Sequence, residues 1–340
     1  MALQTEPEEL LAAWRALTGV GEGAEGWRTI PLLLGGPGRL RAGRRFPGNE
    51  ESLLVRFTGV NVRPADDLPQ GQGFLVSLVD SGVGKEGECW LALSRRQEGS
   101  LELFAMMAVD IVSALEPSAD YTEERLFQKF LSRIRAWQEF MRRGRRSVLD
   151  TEAEIGLVGE LLFLEHMVGI GVRCATAVEG WVGPLRAPQD FVLGPGAIEV
   201  KATVAVDGFP VRIGSLVQLD DSLLQPLFLA AVRVRSGGAG RPLPSILSDV
   251  RELLADEPTI RDAFNSRLLH AGYFDGLAEH YQRQFTHVET RVFRVAGEFP
   301  KLTRATLPRS ILSVQYEIDI DQITIGSITA EAALNELGVL

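Results

Sequence analysis

Between positions 189 and 203 the chain reads QDFVLGPGAIEVKAT, and three of its residues bring formal charge into otherwise apolar strands. Phe191, Val192, Ile198, Val200 and the following Val204 read as two short strands around a Gly-Pro-Gly turn, interrupted by Asp190, Glu199 and Lys201. Successive strand side chains point to opposite faces, so Ile198, Val200 and Val204 share one face and Glu199, Lys201 and Thr203 the other. A hairpin through LGPG returns the chain so that the Asp190 carboxylate approaches Glu199. Two carboxylates brought together repel each other unless a cation fills the gap. A hard divalent ion, held by one or two carboxylates and completed by water and phosphate oxygens, is the natural filler. A lysine ammonium a few Å away can hold an attacking water or stabilise charge developing on a phosphate. The set suits phosphodiester hydrolysis. It also fits a surface hairpin with a Glu–Lys pair, and spacing alone leaves both readings open.

The elements that must position these residues are legible around them. DTEAEIGLVGELLFLEHMVGIG opens with an Asp/Thr cap and an early Glu, carries Ile155, Val158, Leu161, Leu162 and Leu164 in helical order, and stops at glycines. Glu154, Glu160 and Glu165 lie on this helix. Rotations of about 240° from Glu154 to Glu160 and about 140° from Glu160 to Glu165 let only one of them face a common site. The hairpin follows, then VRIGSLVQLD as a short strand or turn and a helix start, then PLFLAAVRVR as a buried strand, which together make an α/β core. Upstream, residues 27–105 break into short apolar runs separated by Gly, Pro, Asn and Asp, a mostly antiparallel β region. Two amphipathic helices join it to the core. Downstream, LPSILSDVRELLAD and TIRDAFNSRLLHAGY read as helices and TRVFRVAGEF and ILSVQYEIDI as strands. The expected division is a β-rich region with linking helices over 1–146, the core over 147–240 and an α+β extension over 241–340.

The order GE, QDF, EVKAT, QLD resembles the PD-(D/E)XK nucleases of the restriction-endonuclease-like fold, with Gln189 where the motif's variable proline stands. It is similar in particular to a bacterial family linked with restriction and phage-defence genes. The resemblance is strongest over about 150–235. It implies that Asp190 and Glu199 bind Mg²⁺, with Mn²⁺ able to substitute, and that Lys201 orients water or stabilises phosphate charge. Glu160 would bind a second metal or hold a metal-bound water, and Gln218 would support the site or contact DNA. It further implies a DNA substrate, protein partners from a defence operon and a homodimer for double-strand cutting. The alternative is a silent nuclease fold kept as a DNA-binding or assembly platform.

Composition limits the other classes. The chain has 340 residues, 45% hydrophobic and 24% charged, with a formal net charge of -10. That balance argues against indiscriminate coating of nucleic acid. The one cationic band, with Arg133, Arg135, Arg142, Arg143, Arg145 and Arg146, is either a solvated helix face or a phosphate-contacting one. No apolar run approaches the roughly 18 residues needed to span a bilayer, and the N-terminus carries acids where a signal peptide carries bases, so a cytoplasmic location is expected. Cys89 and Cys174 lie far apart without a CxxC partner. The four histidines lack HxxxH or HExxH spacing, IGSLV is no nucleophile elbow, and LLLGGPGRLRAGRR matches no phosphate loop. Trp181, nine residues before Asp190, either packs the core or walls the cleft.

Overall fold

A computed structural model describes residues 7–18, 25–32, 38–60, 68–71, 73–79, 88–115, 122–142 and 148–340. The chain divides into two compact units, Met1–Arg146 and Ser147–Leu340.

In the first unit the short apolar runs form one five-stranded antiparallel sheet. Its strands are β1 (Gly26–Pro31), β2 (Leu40–Phe46), β3 (Glu50–Thr58), β4 (Phe74–Leu78) and β5 (Glu88–Arg95), in the order β1-β2-β3-β5-β4. Helices α1 (Pro7–Ala16), α2 (Leu101–Ala114) and α3 (Glu123–Arg142) accompany it. The odd residues of β3 supply the helix-facing apolar side, where Phe57 meets Phe127 and Phe130 of α3. Two members of the basic band are committed here: Arg133 grips Asp110 of α2 at 2.5 and 2.7 Å, and Arg142 pairs with Glu139 on its own helix. Arg143, Arg145 and Arg146 lie outside the described residues.

The second unit begins with α4 (Thr151–Gly169), whose N-terminus is capped by Asp150 accepting from the Ala153 N–H at 2.9 Å. Then come α5 (Cys174–Gly180), β6 (Phe191–Leu193), β7 (Gly196–Thr203), β8 (Pro210–Ile213), β9 (Leu227–Pro242), α6 (Leu243–Leu253), α7 (Pro258–Ala271), β10 (Gln284–Arg294), β11 (Tyr316–Asp319) and α8 (Ala330–Glu336). The main sheet has the order β10-β9-β7-β6, with β7 parallel to β9 and the outer pairs antiparallel. β11 pairs with β8 in a small second sheet. Residues 241–340 thus supply a strand to each sheet of this unit. The helix start expected after β8 is absent: residues 216–219 form turns, with the Gln218 side chain accepting from the Gly214 N–H at 2.7 Å. That local bond satisfies a backbone donor in a turn, which competes with helix formation.

Helix α4 and strand β7 are in intimate contact. A methyl group at Gly159 would lie 2.5 Å from the Ala202 Cβ, so only glycine lets the helix settle this close. Phe163 of α4 packs on Phe191, the β6 partner of Ile198. The helix therefore covers the face of β7 that carries Ile198, Val200 and Ala202. The opposite face, with Ala197 and Glu199, looks onto an apolar cluster that includes Phe209, Val211, Leu229, Phe293 and Ile318.

Candidate active site

The site forms where β6 stops covering β7. The last pair of the hairpin is Phe191↔Ile198, and one step further the register sets Asp190 opposite Glu199. There β7 has lost its β6 partner, and the Val200 N–H donates instead to Asp190 Oδ2 at 2.8 Å. The Asp190 carbonyl accepts from the Val182 and Gly183 N–H groups at 2.8 and 3.0 Å. Side chain and backbone of Asp190 are fixed together.

Glu199 is fully buried, opposite Leu229 of the neighbouring strand. Burying a carboxylate costs several kcal/mol unless hydrogen bonds and counter-charge compensate. Here compensation is incomplete. Lys201 Nζ lies 2.5 Å from Glu199 Oε1, yet neither Glu199 oxygen receives a well-angled hydrogen bond. The contact is a close ion pair with poor angular geometry.

Glu160 reaches the cluster from α4, and its Oε2 accepts the Trp181 indole N–H at 2.6 Å. Burial first, and the Asp190 charge second, push the Glu160 carboxyl up to about 8, against the pull of Trp181 and Lys201. Burial, with Asp190 next, sets Glu199 well above the usual carboxylate range. Burial also raises Asp190, opposed by Lys201 and the Val200 N–H. For Lys201, burial acts downward, but the Glu199, Asp190 and Glu160 charges outweigh it and lift the ammonium's pKa. Three acids that resist ionising together around one ammonium are a place that a further cation would relieve.

Glu199, with two oxygens lacking hydrogen bonds, and Asp190, with Oδ1 left over from the Val200 bond, are the residues that fit a hard divalent ion. No three His, Cys, Asp or Glu side chains among the described residues gather into a complete ligand cage. Mg²⁺ does not require one, since it keeps several waters and takes one or two carboxylates plus phosphate oxygens.

Neighbouring candidates are used elsewhere. Glu154 is buried, but it accepts from Arg283 at 2.6 Å, so the two glutamates of α4 have separate partners. Glu165 pairs with Arg241 at 2.8 Å. Gln189 is buried, and its amide donates to the carbonyls of Val217 at 2.9 Å and Gln218 at 3.4 Å. Gln218 therefore meets the motif through its backbone, while its side chain serves its own turn. Two features went unread in the sequence, the Trp181–Glu160 bond and the Gly159 contact. The available signals were a glutamate needing a donor near a tryptophan, and a glycine inside a strong helix.

A mixed β6–β7–β9–β10 sheet backed by α4, with acids and a lysine where its hairpin opens, defines a restriction-endonuclease-like α/β domain. The chain belongs to the family described as "Putative PD-(D/E)XK family member, (DUF4420)", whose model matches residues 10–321. No curated protein and no solved structure matches it. Among the described residues no helix is long and apolar enough to cross a membrane.

Proposed function

We propose that the chain is a Mg²⁺-dependent endonuclease that hydrolyses DNA phosphodiester bonds and serves, with protein partners, in a bacterial restriction or phage-defence system. The observation that carries this reading is Glu199, wholly buried, in ion-pair contact with Lys201 and opposite Asp190, with both oxygens short of hydrogen bonds. Asp190 and Glu199 would hold the ion, and Glu160 would hold a water on it or a second ion. When bound, the metal polarises the scissile phosphate and acidifies a water. Lys201 supplies positive charge to the attacking water and to the phosphate oxygens as they gain charge, where an oriented ammonium contributes most. The water oxygen bonds to phosphorus, the P–O bond to the leaving sugar oxygen breaks, and a proton passes to that oxygen. Two copies of the chain would place one site on each strand.

The test is supercoiled plasmid incubated with the protein in Mg²⁺ or Mn²⁺, beside Lys201→Ala and an EDTA control. Nicking or linearisation lost in both controls is the expected result. Cleavage that survives Lys201→Ala removes this strand from the chemistry. Absence of cleavage together with a gel shift indifferent to EDTA replaces the enzyme with a non-cutting platform; the net charge of -10 fits either that platform or a nuclease that needs a more basic partner to hold DNA.

A further inference from the structure

We infer that Trp181 is a positioning residue that holds Glu160 in one orientation and reserves a single carboxylate oxygen, Oε1, for the metal site. This rests on the reading above. Trp181 is fully buried, and its indole N–H, which can only donate, has Glu160 Oε2 as its partner at 2.6 Å. A buried hydrogen bond to an ionisable carboxylate is among the stronger kinds, and it fixes the plane of the acceptor.

The tryptophan is itself held from three sides. Its ring lies 5.6 Å from that of Phe264 on α7. Its carbonyl accepts from Arg267 Nε, also on α7, at 2.8 Å, and it forms an isolated bridge with Phe191. The next two residues, Val182 and Gly183, give their N–H groups to the Asp190 carbonyl. One three-residue segment thus sets Glu160 through a side chain and Asp190 through its backbone. It is anchored by a helix far downstream of the motif's strand, at Pro258–Ala271. Outer partners of metal-binding carboxylates typically change affinity by about 10- to 100-fold when removed.

Trp181→Phe keeps an aromatic ring but deletes the N–H and part of the indole, so the lost hydrogen bond must be separated from lost packing by a second background. Calorimetric titration of the full-length protein with Mn²⁺ alone, without nucleic acid, is expected to show affinity weakened about tenfold. With Glu160→Gln already present, adding Trp181→Phe should change affinity less than about twofold. An equal loss in both backgrounds would assign Trp181 to packing and overturn the inference. If Mn²⁺ fails to bind the unaltered protein, the metal-dependent reading itself falls, a result distinct from binding that ignores Trp181. A second measurement leaves Trp181 in place, in case Trp181→Phe does not fold. Of the indole N–H resonances of the five tryptophans, one should shift in Glu160→Ala. No shift in any of them overturns the Trp181–Glu160 bond.

Discussion

Two buried glutamates on β-strands, Glu51 in the first unit and Glu199 in the second, show how differently this chain treats the same side chain. Glu51, 5% exposed, receives Arg44 on Oε1 at 2.8 Å and Arg95 on Oε2 at 2.8 Å. Arg44 in turn donates to the carbonyls of Trp14 and Asn49. Two arginines share the one carboxylate there, and each carboxylate oxygen has a bond of good geometry. Glu199, 0% exposed, has one ammonium at poor angle and two acids for company. Native interiors satisfy the great majority of buried polar atoms, so a carboxylate left short in an otherwise well-packed sheet marks a place where stability yields to function. Glu51 ties strands together, whereas Glu199 is the residue to which the proposed function gives the ion.

Isosteric and truncating changes at the two positions should therefore behave in opposite ways. Glu199→Gln removes a charge that the fold accommodates badly. It should leave the melting temperature unchanged or raise it, while lowering plasmid cleavage at least about a hundredfold, since it alters a proposed ligand of the ion, where even outer partners count for about 10- to 100-fold. Glu51→Ala strands two arginines in a nearly dry setting, at a cost of about 3–5 kcal/mol, with cleavage per folded molecule retained. Paired denaturation and cleavage measurements check both. If Glu199→Gln destabilises as strongly as Glu51→Ala, the contrast between the two sites is broken.

Much of this was legible in the sequence because period and turn chemistry act locally. The hairpin at LGPG and the α4 cap at Asp150 depend on residues within a few positions of each other, and the structure shows both, while β7 itself is buried on both faces over its first five residues. Partners drawn from afar were not legible. Arg133 reads as part of a cationic band until Asp110, on another helix, is seen to neutralise it. Glu154 and Glu160 are separable by rotation around α4, but nothing local announces Arg283 or Trp181 as their partners. The turn at 216–219 reads as a helix start because its apolar spacing allows one, while the Gln218–Gly214 bond that closes it depends on a side-chain rotamer that spacing does not reveal.

The contact between α4 and β7 offers a gentler way to sharpen the contrast. Gly159→Ala puts a methyl 2.5 Å from the Ala202 Cβ, so helix and strand must separate. Overpacking of this kind costs about 1–3 kcal/mol. Glu160 is the next residue on the helix, so the displacement should also reduce cleavage by more than the fraction unfolded accounts for. Ala202→Gly in the same chain removes the methyl that is struck, and should restore both stability and cleavage in large part. Recovery of stability without cleavage would show that the helix position alone does not set Glu160.

The smallest effect expected is a dependence on pH that the two units should not share. The Glu160 carboxyl is raised to about 8 and Glu199 lies well above its usual range, burial being the main cause in each case. A group that binds its proton more tightly in the folded state gives stability that is complete below its unfolded pKa and is lost as pH rises through the folded one. The metal-free second unit should therefore weaken between about pH 5 and 8, by on the order of 1 kcal/mol once solvent screening at the half-buried Glu160 is allowed for. Lys201, raised rather than lowered, keeps its charge throughout that window. Metal ions compete with those same protons, so Mg²⁺ should raise the melting temperature more at pH 8 than at pH 6. Glu199→Gln should flatten much of the slope, while Glu51→Gln should leave it as it was. A Mg²⁺ shift that is the same at both pH values would separate the raised acids from the metal and leave Glu199 as a strained structural residue, closer in kind to Glu51 than its unsatisfied oxygens suggest.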